Sequence, residues 1–146
     1  MIRSSPVGPE TALPVVLSYG MGLDSASILT RWLSEPASRD FPLARLTVLT
    51  AMTGDEPDVT RRLNEDHLLP LMRSTGTRFV QVSRTSQQGG CTVLDDSRNP
   101  RKLIMRGPWR LSDELRASGT VPQVAAKRRL CSQPASERRG ARQMAG

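Results

Sequence analysis

Cysteine is scarce in this chain of 146 residues: Cys91 and Cys131 stand forty residues apart, with no Cys-x-x-Cys spacing. That excludes a closed zinc site of paired cysteines and a disulfide-stapled scaffold. There is a single histidine, His67, which lies in a helical pattern and is assigned no role. No run approaches the 18 apolar residues of a membrane span, and the N-terminus lacks the charged-then-apolar pattern of a signal peptide. No membrane partner is therefore expected, and the chain is expected in the cytoplasm with reduced thiols. Aromatic residues are only 3% and apolar residues 37%, low for a compact α/β domain, so the core is expected in the first two thirds. One domain suits this length, since a chain of this size buries roughly 68–70% of its unfolded surface. Acidic residues are sparse at one end. Residues 98–146 carry 12 Lys/Arg against 3 Asp/Glu, while residues 1–97 carry 9 against 11, so the net +7 divides into +9 and −2. Such asymmetry fits a polyanion partner, either nucleotide phosphates or nucleic acid. Arg138-Arg139-Gly140-Ala141-Arg142 reads more readily as a solvated tail.

The informative stretch is Val15-Val16-Leu17-Ser18-Tyr19-Gly20-Met21-Gly22-Leu23-Asp24-Ser25, an apolar run that breaks into a glycine-rich turn and enters a helical pattern. Two glycines let the backbone turn sharply, and Asp24 or Ser25 can cap the helix. Free amides at a helix N-terminus, with a dipole of roughly half a positive charge, suit a phosphate. A Walker-type loop is excluded, because it needs Gly-Lys-Ser/Thr and no lysine precedes Lys102. A dinucleotide fingerprint needs a third glycine where Ser25 stands. A strand-to-helix turn used only for packing is the bland alternative.

The stretch Ser18-Tyr19-Gly20-Met21-Gly22-Leu23-Asp24-Ser25 resembles the pyrophosphatase loop (PP-loop) of the adenine nucleotide alpha hydrolase superfamily, in the branch that contains phosphoadenosine phosphosulfate reductases. The family loop commonly reads Ser-Gly-Gly-x-Asp-Ser, so Gly20 stands in place of its serine and Met21 in place of its first glycine. Leu46-Thr47-Val48-Leu49-Thr50-Ala51-Met52-Thr53-Gly54-Asp55-Glu56 is similar to the family's second strand and the turn behind it, with Met52 where an aspartate is usual. Arg128-Arg129-Leu130-Cys131-Ser132 is similar to its basic, cysteine-containing segment. The resemblance covers residues 13–132 and implies an open, mostly parallel twisted sheet with flanking helices, of the HUP or Rossmann-like kind.

The order of segments agrees with an α/β fold. A polar lead over residues 1–12 precedes a strand over Leu13 to Leu17 and a helix from Asp24 to Ser34, with Ile28, Leu29, Trp32 and Leu33 as its buried stripe. A second strand is expected over Leu43 to Ala51. The second helix, Asp58 to Ser74, buries Val59, Leu63, Leu68, Leu71 and Met72, with Pro70 kinking it or ending its regular hydrogen bonding about one turn earlier, and Gly76 as its stop. Arg78 to Val82 is the third strand, which makes βαβαβ with parallel strands. Ser83 to Thr92 reads as a loop near the ligand edge, and Cys91 to Leu94 as a short strand closed by Asp95-Asp96. Those carboxylates are read mainly as a turn, with a Mg²⁺ site as the lesser alternative. A short helix over Trp109 to Ala117 ends at Ser118-Gly119, and Ala125 to Leu130 carries Lys127, Arg128 and Arg129 in one or two helical turns. Residues 133–146 read as a basic tail beyond the resemblance, a truncated or frame-shifted end.

By resemblance, the domain at 13–132 binds ATP or an adenosine phosphosulfate, with Mg²⁺ as companion, and ATP-using relatives attack the α-phosphorus and release pyrophosphate. Asp24 and Ser25 would be the catalytic pair, Asp24 for Mg²⁺ and Ser25 for a phosphate hydrogen bond. Ser18, Tyr19, Gly20, Met21, Gly22 and Leu23 would form the phosphate loop. Thr53, Gly54 and Asp55 would lie near the adenosine, and Arg128 and Arg129 would add positive charge. Weak binding with little or no turnover is expected. A sulfonucleotide reductase is the second enzyme reading, although the Glu-Cys-Gly type motif that carries its nucleophile is not present. A non-catalytic, basic, nucleic-acid-associated module is the third.

Overall fold

A computed structural model describes residues 13–86 and 88–119. Val15–Ser18 (β1), Leu46–Met52 (β2) and Arg78–Ser86 (β3) are parallel neighbours, and Gly89–Ser97 (β4) runs antiparallel to β3, in the order β1-β2-β3-β4. Leu23–Ser34 (α1) joins β1 to β2; Asp58–Leu63 (α2), a π-helical turn over Asn64–Leu68 and Leu69–Thr75 (α3) join β2 to β3; Leu111–Ser118 (α4) follows the sheet. The result is an open, mostly parallel sheet with flanking helices, the α/β class expected from the alternation of segments. Among the described residues no helix is long and apolar enough to cross a membrane.

Side chains alternate along each strand, so one face of the sheet collects Leu17, Leu46, Val48, Met52 and Phe79. Leu29 and Leu33 of α1 and Leu69 and Met72 of α3 pack onto that face, and most of this cluster is fully buried. Helices α1 and α3 share one face because successive right-handed crossovers to neighbouring strands fall on the same side. The opposite face holds Val16, Leu49, Val80, Val82 and Arg84, and it receives α4 through the pair formed by Arg84 and the buried Glu114.

Several expectations need correction. The second strand begins at Leu46, because Leu43–Arg45 forms a 3₁₀ turn. In the helical stripes Ile28, Val59 and Leu63 are exposed, at 44%, 61% and 54%. For Val59 and Leu63 the reason is the π-helical turn, whose extra residue rotates everything before it by about 100° relative to α3. Pro70, at the start of α3, lacks the N–H that a regular ladder would use, and the irregular turn sits just before it. Gly76 (φ 63) and Gly119 (φ 60) stop α3 and α4 in the left-handed conformation.

The largest correction concerns Ser83 to Thr92. This is no loop: β3 continues to Ser86 and β4 returns from Gly89, with Ser83 paired to Thr92 and Ser86 to Gly89. Asp95 and Asp96 lie inside β4 rather than in a closing turn, and neighbours on a strand face opposite ways. Asp96 takes both bonds from Arg78, at 2.9 and 2.6 Å, while Asp95 accepts from Gln81 at 3.4 Å, so the two do not form a joint cation site.

Candidate functional site

The carboxyl edge of the parallel strands is stepped. β1 ends at Ser18, level with Leu49; β2 continues to Met52, level with Ser83; β3 continues to Ser86. At about 3.3 Å per residue, each step rises roughly 10 Å. The loop at 19–22 therefore stands on the lowest step, beside the flank of β2, and the turn at 53–56 stands on the next. Both follow the carboxyl ends of adjacent parallel strands, the edge where open α/β sheets bind ligands.

On the lowest step Tyr19 turns inward. Its ring is buried, its amide donates to the Leu49 carbonyl at 2.7 Å, and its hydroxyl donates to Asn64 Oδ1. Asn64 Nδ2 in turn donates to the Thr60 carbonyl at 2.7 Å, fixing β1 to the irregular helix turn. Burial pushes the Tyr19 hydroxyl pKa up to about 12, so it stays protonated. Tyr19 thus anchors the loop and offers neither its ring nor its amide to a ligand.

Beyond Tyr19 the loop opens to solvent. Met21 takes a left-handed conformation (φ 58), which disfavours a side chain by roughly 1–2 kcal/mol. Gly22 is the N-cap of α1 and supplies no capping side chain. Neither Asp24 nor Ser25 is the cap: α1 starts at Leu23, so they occupy its second and third positions. Ser25 Oγ donates back to the Gly22 carbonyl at 3.2 Å, and Asp24 is exposed in the first turn. First-turn amides have no intrahelical acceptor. They leave partial positive charge where Gly20, Gly22 and Asp24 are exposed. A Cβ built on Gly20 or Gly22 meets nothing within 4 Å.

The second step is occupied by the chain itself. Glu56 accepts from Thr53 N at 2.7 Å, Thr53 Oγ1 at 2.7 Å and Gly54 N at 3.1 Å, so the first two amides of the turn are satisfied from within it. Gly54 (φ 85) lies under Arg110, whose Cγ would be 2.8 Å from an added Cβ. Asp55 receives Ser112 N at 2.7 Å and Ser112 Oγ at 2.6 Å, and Leu111 N donates to the Thr53 carbonyl at 3.0 Å. The N-cap of α4, Arg110, makes no side-chain capping bond, so Asp55 supplies that cap from the adjoining turn. These bonds from Ser112 hold the Asp55 carboxyl below the usual carboxylate range.

The strap that reaches this turn begins at Pro100. Buried Gln81 donates to the Lys102 carbonyl at 3.0 Å and accepts Ile104 N at 2.8 Å, while Glu65 accepts Leu103 N at 2.9 Å. Gly107 then passes so close to Ser83 that an added Cβ would lie 1.9 Å from Ser83 Oγ. After Trp109 the chain enters α4 on the other face of the sheet.

The structure therefore brings Ser18, Tyr19, Gly20, Met21, Gly22, Leu23, Asp24 and Ser25 to one step and Thr53, Gly54 and Asp55 to the next. Met52, level with Ser83, points into the core at 3% exposure, so this position offers nothing to the edge. Arg128, Arg129, Lys127 and Cys131 lie outside the described residues. Among the described residues no group of three or more His, Cys, Asp or Glu side chains is placed to hold a metal. Glu56, Arg110 and Ser112 are the members of this edge that the sequence reading passed over. Only the Thr-Gly-Asp-Glu string hinted at Glu56, and nothing local marks the other two. Comparison with protein-family models, with curated proteins and with solved structures finds no match for this chain.

Proposed function

We propose that the chain binds an adenine nucleotide by its phosphates at the loop 20–25, as the resemblance to PP-loop proteins of the phosphoadenosine phosphosulfate reductase branch implies. The observation that carries this reading is that Gly20 and Gly22 answer no demand of the fold. Neither has a left-handed φ and neither would clash if given a Cβ. Glycine at such positions suits close approach of a ligand to the backbone. Met21, by contrast, holds φ 58 at the position where the related loops have glycine, the conformation that glycine adopts freely.

In this reading β1, β2 and β3 form one mononucleotide-binding half of a HUP or Rossmann-like sheet, in which phosphate meets the first strand-to-helix turn. Amides of residues 22–25 stabilise charge on the phosphates, and Ser25 Oγ exchanges its weak 3.2 Å bond to Gly22 for a phosphate oxygen. Mg²⁺ arrives with the nucleotide, held by phosphate oxygens and the single Asp24 carboxylate, which suits an ion that keeps most of its water. An ATP site also suits the cytoplasmic location expected from the sequence. Turnover is expected to be slow or nil, because Met21 stands where the related loops have glycine and Met52, buried in the core, offers no carboxylate to the edge.

The test is isothermal titration with ATP, Mg-ATP and adenosine phosphosulfate, on the wild type and on Gly20→Ala. The variant should unfold at the wild-type temperature and bind at least about tenfold more weakly, a loss of about 1.4 kcal/mol. Equal affinity for the two proteins, or no binding by the wild type, refutes the reading. Steady pyrophosphate release with Mg-ATP that Asp24→Ala abolishes would overturn the expectation of low turnover.

A further inference from the structure

On the face of the sheet away from α1 and α3, a half-open cavity of about 170 Å³ lies between the strands and the start of α4. Ala51 and Val82, paired across β2 and β3, form its floor, and the pair Arg84 and Cys91 its outer side. Trp109 and Leu111 form its roof. The charge on its wall is already engaged: the Arg84 guanidinium lies 4.3 Å over the Trp109 ring and pairs at 3.1 Å with Glu114. The surface left to a ligand is therefore mostly apolar, with an indole on one side and the exposed Cys91 at the mouth.

Size and lining narrow the occupant. An apolar cavity of about 150 Å³ stays dry and takes up benzene. This one has room for one ring or a fused pair, and is smaller than the several hundred Å³ of a pocket that encloses a drug-sized molecule. Burial against apolar walls favours a neutral ligand, since a charged group would lose its hydration without a free counter-charge. The indole favours an aromatic ring over a saturated one, because aromatic pairs gain from offset or edge-to-face contact beyond the area they bury. We propose that this cavity is a binding site for a small, uncharged aromatic molecule of one or two rings, held against Trp109 and closing over Cys91. It borders the second step through Met52, Thr53 and Leu111 but includes no residue of the loop 20–25, so it stands or falls independently of phosphate binding there.

Indole is the probe, used without nucleotide on the full chain in a Cys131→Ser background, so that Cys91 is the single thiol. Millimolar indole should shift the NMR methyl signals of Val82 and Leu111 by ring current. It should also slow the reaction of Cys91 with a disulfide reagent several-fold at saturation. Cyclohexanol, a saturated ring, should do both more weakly. Ala51→Leu fills the floor and should abolish the methyl shifts. Cys91→Phe, at an exposed strand position, fills the mouth and should do the same if the first variant fails to fold. No shift in the folded wild type overturns the proposal, as does an equal response to cyclohexanol, or full binding by a folded, filled variant.

Discussion

Replacing Asp55 by alanine should loosen α4 without touching a residue of that helix. The carboxylate takes two short bonds from Ser112, at 2.7 and 2.6 Å, and Arg110 at the N-cap makes none. Loss of an N-cap acceptor costs about 1 kcal/mol, and a negative charge at a helix N-terminus adds a few tenths to 1 kcal/mol where it is exposed, as Asp55 is. A total of about 1–2 kcal/mol corresponds to a fall in Tm of roughly 4–8 °C for a domain of this size. Asp55→Asn keeps an acceptor but no charge, and should lose about half as much. The pH dependence follows from the lowered Asp55 pKa, whose main cause is the Ser112 hydroxyl. A carboxyl that is more acidic when folded stabilises the fold fully above its unfolded value of about 3.9, and that share is lost as pH falls through the lower folded value. The gap in Tm between wild type and Asp55→Ala should therefore be constant from pH 7 to pH 5 and narrow below about pH 4. Thermal unfolding followed by circular dichroism at pH 7, 5, 3 and 2 measures it. An equal Tm at pH 7, or a gap that widens on acidification, would refute the assignment of Asp55 as the cap of α4.

Tyr19 is the chain's one tyrosine, so the rise in absorbance at 295 nm on phenol ionisation, above a constant background from the two tryptophans, reports on it. With its pKa raised to about 12, it stabilises the fold fully below the unfolded value of about 10 and loses that share as pH rises toward 12. Alkaline unfolding should therefore steepen between those values, and Tyr19→Phe should flatten it while costing about 1–3 kcal/mol at neutral pH through the stranded Asn64 oxygen. A wild-type tyrosine that titrates near 10 in the folded state would contradict this. Among glycines, Gly54→Ala and Gly107→Ala should each destabilise by about 2 kcal/mol or more, the first from its left-handed φ and Arg110, the second from its clash with Ser83. Denaturant titration should show those losses against a change within about 0.5 kcal/mol for Gly20→Ala.

The parts of the fold that could be read from the chain are those whose causes are local. Leu46 to Met52 alternates its burial, Gly76 and Gly119 mark helix ends, and Gly20 to Ser25 announces a strand-to-helix turn. The hairpin was illegible because Ser83 to Ser86 runs past the apolar core, where pairing with β4 holds it and the apolar period vanishes. Val59 and Leu63 misled because a π-helical turn resets the phase of a stripe that looks continuous in sequence. The occupied second step was beyond reach, since Asp55 and Ser112 are 57 residues apart and neither position signals the other.

The stepped edge also bears on the order in which the molecule assembles. Ser86 pairs with Gly89, so β3 and β4 meet after closing a loop of a few residues, whereas Val15 must find Leu46 across 31. Loop closure scales as (3/2)RT ln n, which sets the second event about 2 kcal/mol of entropy behind the first. Hairpins form in microseconds, and parallel strands wait for their crossover helix. The tall end of the staircase is then the early end, and β1, which leads into the loop at 19–22, joins late. Substitutions within Gly89–Ser97 should slow folding, while those in Val15–Ser18 should act mainly by hastening unfolding. A phosphate ligand would consequently act as a brake on unfolding, grasping the strand that is last to arrive and first to leave.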